Sequence, residues 1–151
     1  ILFTGVFVNK SEDFITQKIA EYGLESIQLH GTESPNFCKK IKESNQKVIK
    51  AFNILPEFDF SALDEYTPYC DYFLFDAFGK DAGGNGITFD WNILNNYKGK
   101  TPFLLSGGID GNLKEINHPM FKGVDINSKF ESAYAYKDIK KVKQFSDELR
   151  S

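Results

Sequence analysis

Short apolar runs alternate with amphipathic segments along the whole chain. Runs rich in β-branched and aromatic side chains predict buried strands, and the apolar residues spaced three or four apart between them predict helices. The predicted strands are Ile1–Val8, Ser26–Leu29, Lys47–Ile54, Tyr72–Phe75, Pro102–Leu105 and Gly123–Ile126. They recur roughly every 25 residues, which is the spacing of parallel β–α units.

Capping residues mark the ends of the helices between these strands. Ser11 and Ser34 stand where N-caps are expected, Pro35 takes the first position of the second helix, and Gly23 ends the first helix. The remaining helices are predicted over Phe60–Tyr69, from Asp90, around Leu113–Ile116 and over Asp138–Leu149. A helix therefore follows each strand, and the fold class is α/β.

Six such units form either a doubly wound open sheet or part of a barrel. A doubly wound sheet that binds nucleotides needs a Gly-x-Gly-x-x-Gly turn directly after a strand. The glycines of the stretch Gly83-Gly-Asn-Gly86 do not have that spacing, and they lie too far past their strand. Polar residues instead follow nearly every strand, so we predict a TIM (βα)8-type barrel with six βα units in this chain.

The composition narrows the classes of function. The chain has 151 residues, the length of one domain, and its 15 Phe and 7 Tyr predict an aromatic core. A net charge of −3 gives no reason to expect a nucleic acid partner, and no apolar run approaches the ~20 residues that span a membrane. Cys38 and Cys70 suggest neither a disulfide framework nor a zinc cluster, so a cytoplasmic protein is expected.

One acid stands at the end of a buried strand. Asp76 follows Tyr72–Phe75, and the glycine-rich stretch separates it from the helix predicted at Asp90. Barrel enzymes keep their catalytic groups at the carboxyl ends of strands beneath such loops, so Asp76 is a candidate general acid. The alternative is an aspartate that accepts hydrogen bonds from loop N–H groups and has no catalytic role.

The ends of the last two strands carry a second pattern. Gly107 and Gly108 end the fifth strand, and Asn127 and Ser128 end the sixth. The loops after the last two strands of a barrel often bind phosphate through backbone N–H groups, which predicts a phosphorylated substrate. The alternative for the two glycines is a tight turn between strand and helix.

Three further polar residues are candidates for substrate binding. Gln28 and His30 flank Leu29, so the alternation of a strand points both side chains toward the mouth of the barrel. Asp125 is predicted to lie within the sixth strand and to face inward, where a charged group must be paired or bound to a ligand. The alternatives are a turn histidine and a structural acid.

Taken together, the strand ends resemble those of the phosphoribosylanthranilate isomerases. No single motif is decisive, but six in register over nearly the whole chain are specific. The matching segments are Gly5-Val-Phe-Val-Asn9, Gln28-Leu-His-Gly31, Phe75-Asp-Ala77, Gly83-Gly-Asn-Gly86 with Phe89-Asp-Trp91, Leu105-Ser-Gly-Gly-Ile109, and Gly123-Val-Asp-Ile-Asn-Ser128 with Glu131 and Lys137-Asp138.

The resemblance implies an Amadori rearrangement in tryptophan biosynthesis, catalysed by general acid and base without metal or cofactor. N-(5-phosphoribosyl)anthranilate would become 1-(2-carboxyphenylamino)-1-deoxyribulose 5-phosphate, with Asp76 protonating the ring oxygen of the furanose. Burial and a nearby Asp125 carboxylate would keep the required proton on Asp76. By the same resemblance the sugar and anthranilate would contact Gln28, His30 and Asp125, and the phosphate would contact Gly107, Gly108 and the backbone near Asn127 and Ser128.

The chain departs from the family pattern in three places. Lys129 replaces a small residue, and the segment 132–136 lacks the Pro-Gly that commonly precedes Lys137-Asp138. The larger departure is that the family's first two βα units, with the cysteine that serves as general base, have no counterpart here. We therefore expect residues 1–151 to form a single partial barrel that self-associates or pairs with a complementing N-terminal segment.

Two other functions remain open at this point. One is a different phosphosugar isomerase or synthase, because phosphate sites recur across such barrels. The other is an inactive fragment that only binds a phosphorylated ligand.

Overall fold

The computed structural model describes residues 2–76, 90–107, 109 and 116–149. Its strands are β1 (Thr4–Phe7), β2 (Ser26–Leu29), β3 (Lys47–Asn53), β4 (Tyr72–Asp76), β5 (Phe103–Ser106), β6 (Phe121–Val124), β7 (Glu131–Ala133) and β8 (Tyr136–Lys137). Its α-helices are α1 (Glu12–Tyr22), α2 (Pro35–Glu43) and α3 (Ile139–Glu148). Short 3-10 helices lie at Phe60–Leu63, Thr67–Tyr69, Trp91–Asn96 and Ser128–Phe130.

The first six strands form one parallel sheet in the order β1-β2-β3-β4-β5-β6. Each strand therefore pairs with the next one along the chain. A doubly wound sheet would instead reverse its strand order at a switch point. The sequential order is that of a (βα)8 barrel, and it rules out the doubly wound alternative.

The two faces of this sheet differ. One face packs against the helices in an aromatic-rich core that includes Ile15 of α1 and Ile41 of α2. Phe75 and Phe103 stack there with ring centroids 4.8 Å apart, and Tyr97 contacts both rings edge-on. The predicted aromatic core is confirmed. Residues at the alternate strand positions lie on the opposite face, where the side chains at the carboxyl ends of the strands meet.

The helix ends agree closely with the sequence pattern. The Ser11 hydroxyl accepts from the Phe14 N–H and the Ser34 hydroxyl from the Phe37 N–H, as N-caps should. Gly23 closes α1 in the left-handed conformation, with φ at 60°. These caps fix where the chain enters and leaves each helix.

Two predicted helices are instead 3-10 turns. The region Phe60–Tyr69 divides into two short 3-10 helices, because Pro68 has no N–H and disfavours helical geometry in the residue before it. The helix predicted from Asp90 is a 3-10 helix whose three asparagines are weak helix formers. The helix predicted around Leu113–Ile116 and the glycine-rich stretch lie mostly outside the described residues.

The end of the sheet also differs from expectation. The sixth strand was expected over Gly123–Ile126 but spans Phe121–Val124, because Phe121 pairs with Phe103. The prediction that Asp125 lies within the strand is therefore wrong. After it comes a hairpin of β7 and β8 that the sequence did not predict, and its turn places Ala135 at a φ of 62°.

Candidate active site

The chain joins three predicted site residues by hydrogen bonds. Nε2 of Gln28 lies 3.1 Å from Nδ1 of His30, and Nε2 of His30 lies 3.2 Å from Oδ2 of Asp76. Gln28 belongs to β2, His30 follows it, and Asp76 ends β4. The structure brings these three side chains together at the carboxyl edge of the sheet.

The direction of these bonds assigns a tautomer to the imidazole. The Gln28 amide donates to Nδ1 of His30, which leaves the ring proton on Nε2 to be donated to Asp76. Gln28 is buried, and the Asp76 side chain is only 14% exposed. A carboxyl group held in this way has a defined orientation at the carboxyl edge of the sheet, where it can exchange a proton with a substrate.

A second polar pair lies at the ends of β5 and β6. Ser106 stands opposite Asp76 in the strand register, and its hydroxyl lies 3.5 Å from Oδ2 of Asp125. The Asp125 N–H donates to the Leu105 carbonyl at 2.7 Å, which extends the ladder one residue past β6. The Asp125 side chain is exposed in this chain. It still lies on the same sheet edge as Asp76.

The candidate phosphate-binding residues lie on these neighbouring strand ends. Gly107 follows β5 with a φ of 84°, a left-handed conformation that glycine adopts without strain. Asn127 and Ser128 follow β6, where Lys137 donates to Oδ1 of Asn127 at 2.6 Å. Gly108 lies outside the described residues. Since β5 and β6 are paired, the structure brings Gly107, Asn127 and Ser128 to one end of the sheet.

Comparison with known proteins decides the family. The family model for N-(5'-phosphoribosyl)anthranilate isomerase matches residues 1–148. The chain belongs to this family.

Individual phosphoribosylanthranilate isomerases support the assignment. The isomerase of Phocaeicola vulgatus is 48% identical over 150 residues, which cover 97% of this chain and 73% of that protein. The crystal structure of the isomerase from Thermotoga maritima superposes with a TM-score of 0.81 at 28% identity, covering 99% of this chain and 73% of that one. These structures are TIM barrels, so the predicted barrel fold is confirmed.

A third relative was solved with a ligand. It is a phosphoribosylanthranilate isomerase in complex with reduced 1-(o-carboxyphenylamino)-1-deoxyribulose 5-phosphate, with a TM-score of 0.79 and 28% identity. The match covers 99% of this chain and 72% of that structure.

Sequence reasoning missed several polar residues near the site. Asn53 and Ser106 stand in register with Asp76 on the strands at either side, and the alternation of those strands was the signal for both. Lys50 and Glu33 form a buried ion pair beneath the end of β2. The sequence signal for this ion pair is Lys50, a lysine within an apolar run.

Two features do not occur in the part of the chain that the structure describes. No group of three or more histidine, cysteine, aspartate and glutamate side chains there is arranged to hold a metal ion. None of the helices in those ranges is long and apolar enough to cross a membrane.

Proposed function

We propose that Asp76 is the general acid of a phosphoribosylanthranilate isomerase and that His30 and Gln28 orient it. As a member of this family, the chain is an isomerase of tryptophan biosynthesis. The observation that carries the residue assignment is the hydrogen-bonded series Gln28–His30–Asp76 at the carboxyl edge of the sheet. An acid must be held within hydrogen-bond reach of the atom that it protonates, and this series fixes its position.

The reaction uses that acid in its first step. Asp76 gives its proton to the ring oxygen of the furanose, the bond from that oxygen to C1' breaks, and the anilino nitrogen lone pair forms a C=N bond. A base then removes the proton on C2', and the electron pair of that C–H bond forms an enamine with nitrogen accepting the displaced pair. Tautomerisation of the resulting enol gives the 2-ketose.

His30 supports this step in the tautomer that the structure shows. Its Nε2–H donates to Oδ2 of Asp76 whether the carboxyl is neutral or charged, so it favours the anion that forms on proton transfer. Because Gln28 occupies Nδ1, the imidazole does not need to change tautomer during the reaction. The acid therefore transfers its proton without rearrangement of its neighbours.

The phosphate and the rest of the substrate lie along the carboxyl edge of the sheet, next to Asp76. The backbone of Gly107, Gly108, Asn127 and Ser128 holds the phosphate, and Asp125 contacts the sugar. The Asn127 side chain is engaged by Lys137, which leaves its backbone for an anion. A relative of the same fold binds a reduced form of the product, which supports a phosphorylated ligand for this chain. The exposed Lys129 adds positive charge nearby.

The general base is the second group that the reaction needs. By family resemblance it is a cysteine at the end of the first barrel strand, which has no counterpart among residues 1–151. Two further βα units would supply it and would cover the edge strand β1, where Val6 and Val8 are more than half exposed. The buried thiols of Cys38 and Cys70 are free, in keeping with a protein of the cytoplasm.

Turnover of phosphoribosylanthranilate, followed by loss of its fluorescence, tests the function. We expect no turnover by this chain alone and turnover when a peptide carrying the family's first two βα units is added. Turnover by the chain alone would show that the missing base is dispensable. Failure of the reconstituted protein to turn over the substrate would leave binding of a phosphorylated ligand, or isomerisation of another phosphosugar, as the function.

A further inference from the structure

Lys50 and Glu33 form a buried ion pair that the reaction described above does not use. Nζ of Lys50 lies 3.3 Å from Oε2 of Glu33, and each side chain is only 3% exposed. Removing two charges from water is costly, and a buried pair often stabilises a fold no better than apolar side chains of similar size. Stability alone therefore does not account for its presence.

The ammonium group of Lys50 reaches the backbone on both sides of His30. It donates to the Leu29 carbonyl at 3.2 Å and to the Gly31 carbonyl at 2.8 Å. It also lies 2.9 Å from the carbonyl of Ala51 in its own strand. The peptide groups that flank His30 are thus fastened to β3, the strand that lies between His30 and Asp76 in the sheet.

The carboxylate of Glu33 fixes the same segment from the other side. It accepts from the Gly31 N–H at 2.9 Å and from the Asn9 N–H at 2.8 Å. Asn9 in turn accepts from the Thr32 N–H at 2.8 Å through its side chain. The loops after β1 and β2 are thereby tied together, and a Cβ atom at Gly31 would collide with Oδ1 of Asn9.

The charge of Glu33 is maintained in this setting. Burial alone raises the pKa of the Glu33 carboxyl, but the Asn9 N–H, the Lys50 charge and the Gly31 N–H outweigh it and lower the pKa below its usual value. The Glu33 carboxyl is therefore ionised at neutral pH, and the hydrogen bonds that it accepts have the strength of charge-assisted ones.

The hydrogen bond from His30 to Asp76 depends on how firmly the Lys50–Glu33 pair holds the backbone around His30. It joins β2 to β4 across the intervening β3, so the pairing of adjacent strands does not fix its length. A displacement of about 1 Å in a group that orients a catalytic residue can cost on the order of a hundredfold in rate. We propose that Lys50 and Glu33 are positioning residues that hold His30 against Asp76, an inference that rests on the acid role of Asp76.

Nitrogen-15 NMR of the imidazole rings tests this without any turnover. The chain has two histidines, and His118 provides an internal reference because its Nε2 lies 3.1 Å from the Tyr97 carbonyl. We expect both rings to show the Nε2–H tautomer. In Lys50→Met the two ring-nitrogen shifts of His30 should converge, as in a ring that exchanges tautomers, while those of His118 stay unchanged.

Kinetics on the preparation that turns over substrate provide the second readout. In Lys50→Met we expect kcat to fall by about tenfold to a hundredfold, with KM changed less than about threefold. Lys42→Met is the matched control, because it breaks the Lys42–Asp71 ion pair at the opposite end of the strands. It should leave both the His30 shifts and kcat unchanged.

Several results would overturn the proposal. One is a folded Lys50→Met protein with unchanged His30 shifts, and another is converged shifts with an unchanged kcat. If Lys50→Met does not fold, Glu33→Gln is judged by the same criteria, since glutamine keeps one acceptor oxygen. Failure of both to fold, with Lys42→Met folded, would assign the pair to folding alone. If Asp76→Asn stayed active, the acid assignment would fail while the His30 shifts still reported on Lys50.

Discussion

At the scale of single residues, His30 connects β2 to the proposed general acid. It lies after β2 yet contacts the acid at the end of β4, and Gln28 sets its tautomer from within β2. Gln28 is buried and its amide has a defined partner, so its role differs from that of an ordinary surface glutamine. We therefore expect Gln28, acting through His30, to help orient Asp76.

Gln28→Leu tests this orientation. Leucine fills a similar volume but donates nothing to Nδ1 of His30, so the imidazole loses its fixed tautomer. A lost hydrogen bond of about 1.4 kcal/mol corresponds to a fall in kcat of about tenfold, measured by the fluorescence assay. Gln17→Leu, on the exposed surface of α1, is the control and should retain full kcat. An unchanged kcat in a folded Gln28→Leu protein would contradict the orienting role.

Glu33 makes a prediction about acid stability. Its pKa is lowered in the folded protein, so its contribution to stability is present above the unfolded pKa of about 4.3 and is lost as the pH falls through the folded value. Glu33→Gln should therefore be less stable than the wild type at pH 7, as measured by urea denaturation. The difference in free energy of unfolding should shrink as the pH falls below about 4. A difference independent of pH would contradict the assigned charge.

At the scale of elements, capped helices and parallel strands were predictable, while short turns were not. The start of each of α1 and α2 is marked by a serine cap, Ser11 and Ser34, and the end of α1 by Gly23. Local hydrogen bonds at helix ends require such residues. The β7–β8 hairpin was missed since its strands are short, and its turn lacks the Asn-Gly or Asp-Gly pair that indicates hairpins. Local sequence patterns encode the capped helices and the parallel strands, whereas packing against the rest of the molecule decides the short turns.

The hairpin turn provides a stability prediction. Ala135 has a φ of 62°, a left-handed conformation that costs a residue with a Cβ roughly 1 kcal/mol. Ala135→Gly should therefore raise the free energy of unfolding by about 0.5–1 kcal/mol in urea denaturation. The matched variant Ala20→Gly, at an exposed position within α1, should lower it by about 1 kcal/mol. A loss of stability in Ala135→Gly would contradict the conformation assigned to the turn.

At the scale of the whole molecule, the sheet is an open arc with β1 and β6 at its edges in the part of the chain described. Val6 of β1 is 59% exposed, and Val8 just beyond it is 55% exposed. An edge strand with exposed apolar side chains promotes pairing with another chain. The same surface would accept the two preceding βα units of a complete barrel.

We predict that this chain self-associates and that β1 forms the contact. Val6→Lys introduces a charge on this strand, and we expect it to shift the sedimentation of the chain toward the monomer. Tyr22→Lys is the control, because Tyr22 is 61% exposed but lies on α1 and not on β1, and it should not change the sedimentation. Equal association of both variants and the wild type would show that β1 is not the contact.

The parts of the candidate site that the sequence could predict are those placed by the strands themselves. Gln28, His30 and Asp76 were predictable because strand alternation and the end of a parallel strand place them on one edge. The Lys50–Glu33 pair was not, since it depends on how the loops after β1 and β2 fold over the sheet. The end of β6 was not predictable either, since its pairing with β5 shifts register between Phe103 and Leu104.

The most direct test of the account is the kcat of Asp76→Asn in the protein that turns over phosphoribosylanthranilate. Asparagine keeps the shape of the side chain and can still accept from His30, but it has no acidic proton to give. If Asp76 is the general acid, we expect kcat to fall by about a hundredfold to ten-thousandfold. Asp59→Asn, at an exposed cap whose carboxylate accepts from the Ser61 N–H, should retain full activity. A fully active, folded Asp76→Asn protein would contradict the assignment of Asp76 as the general acid.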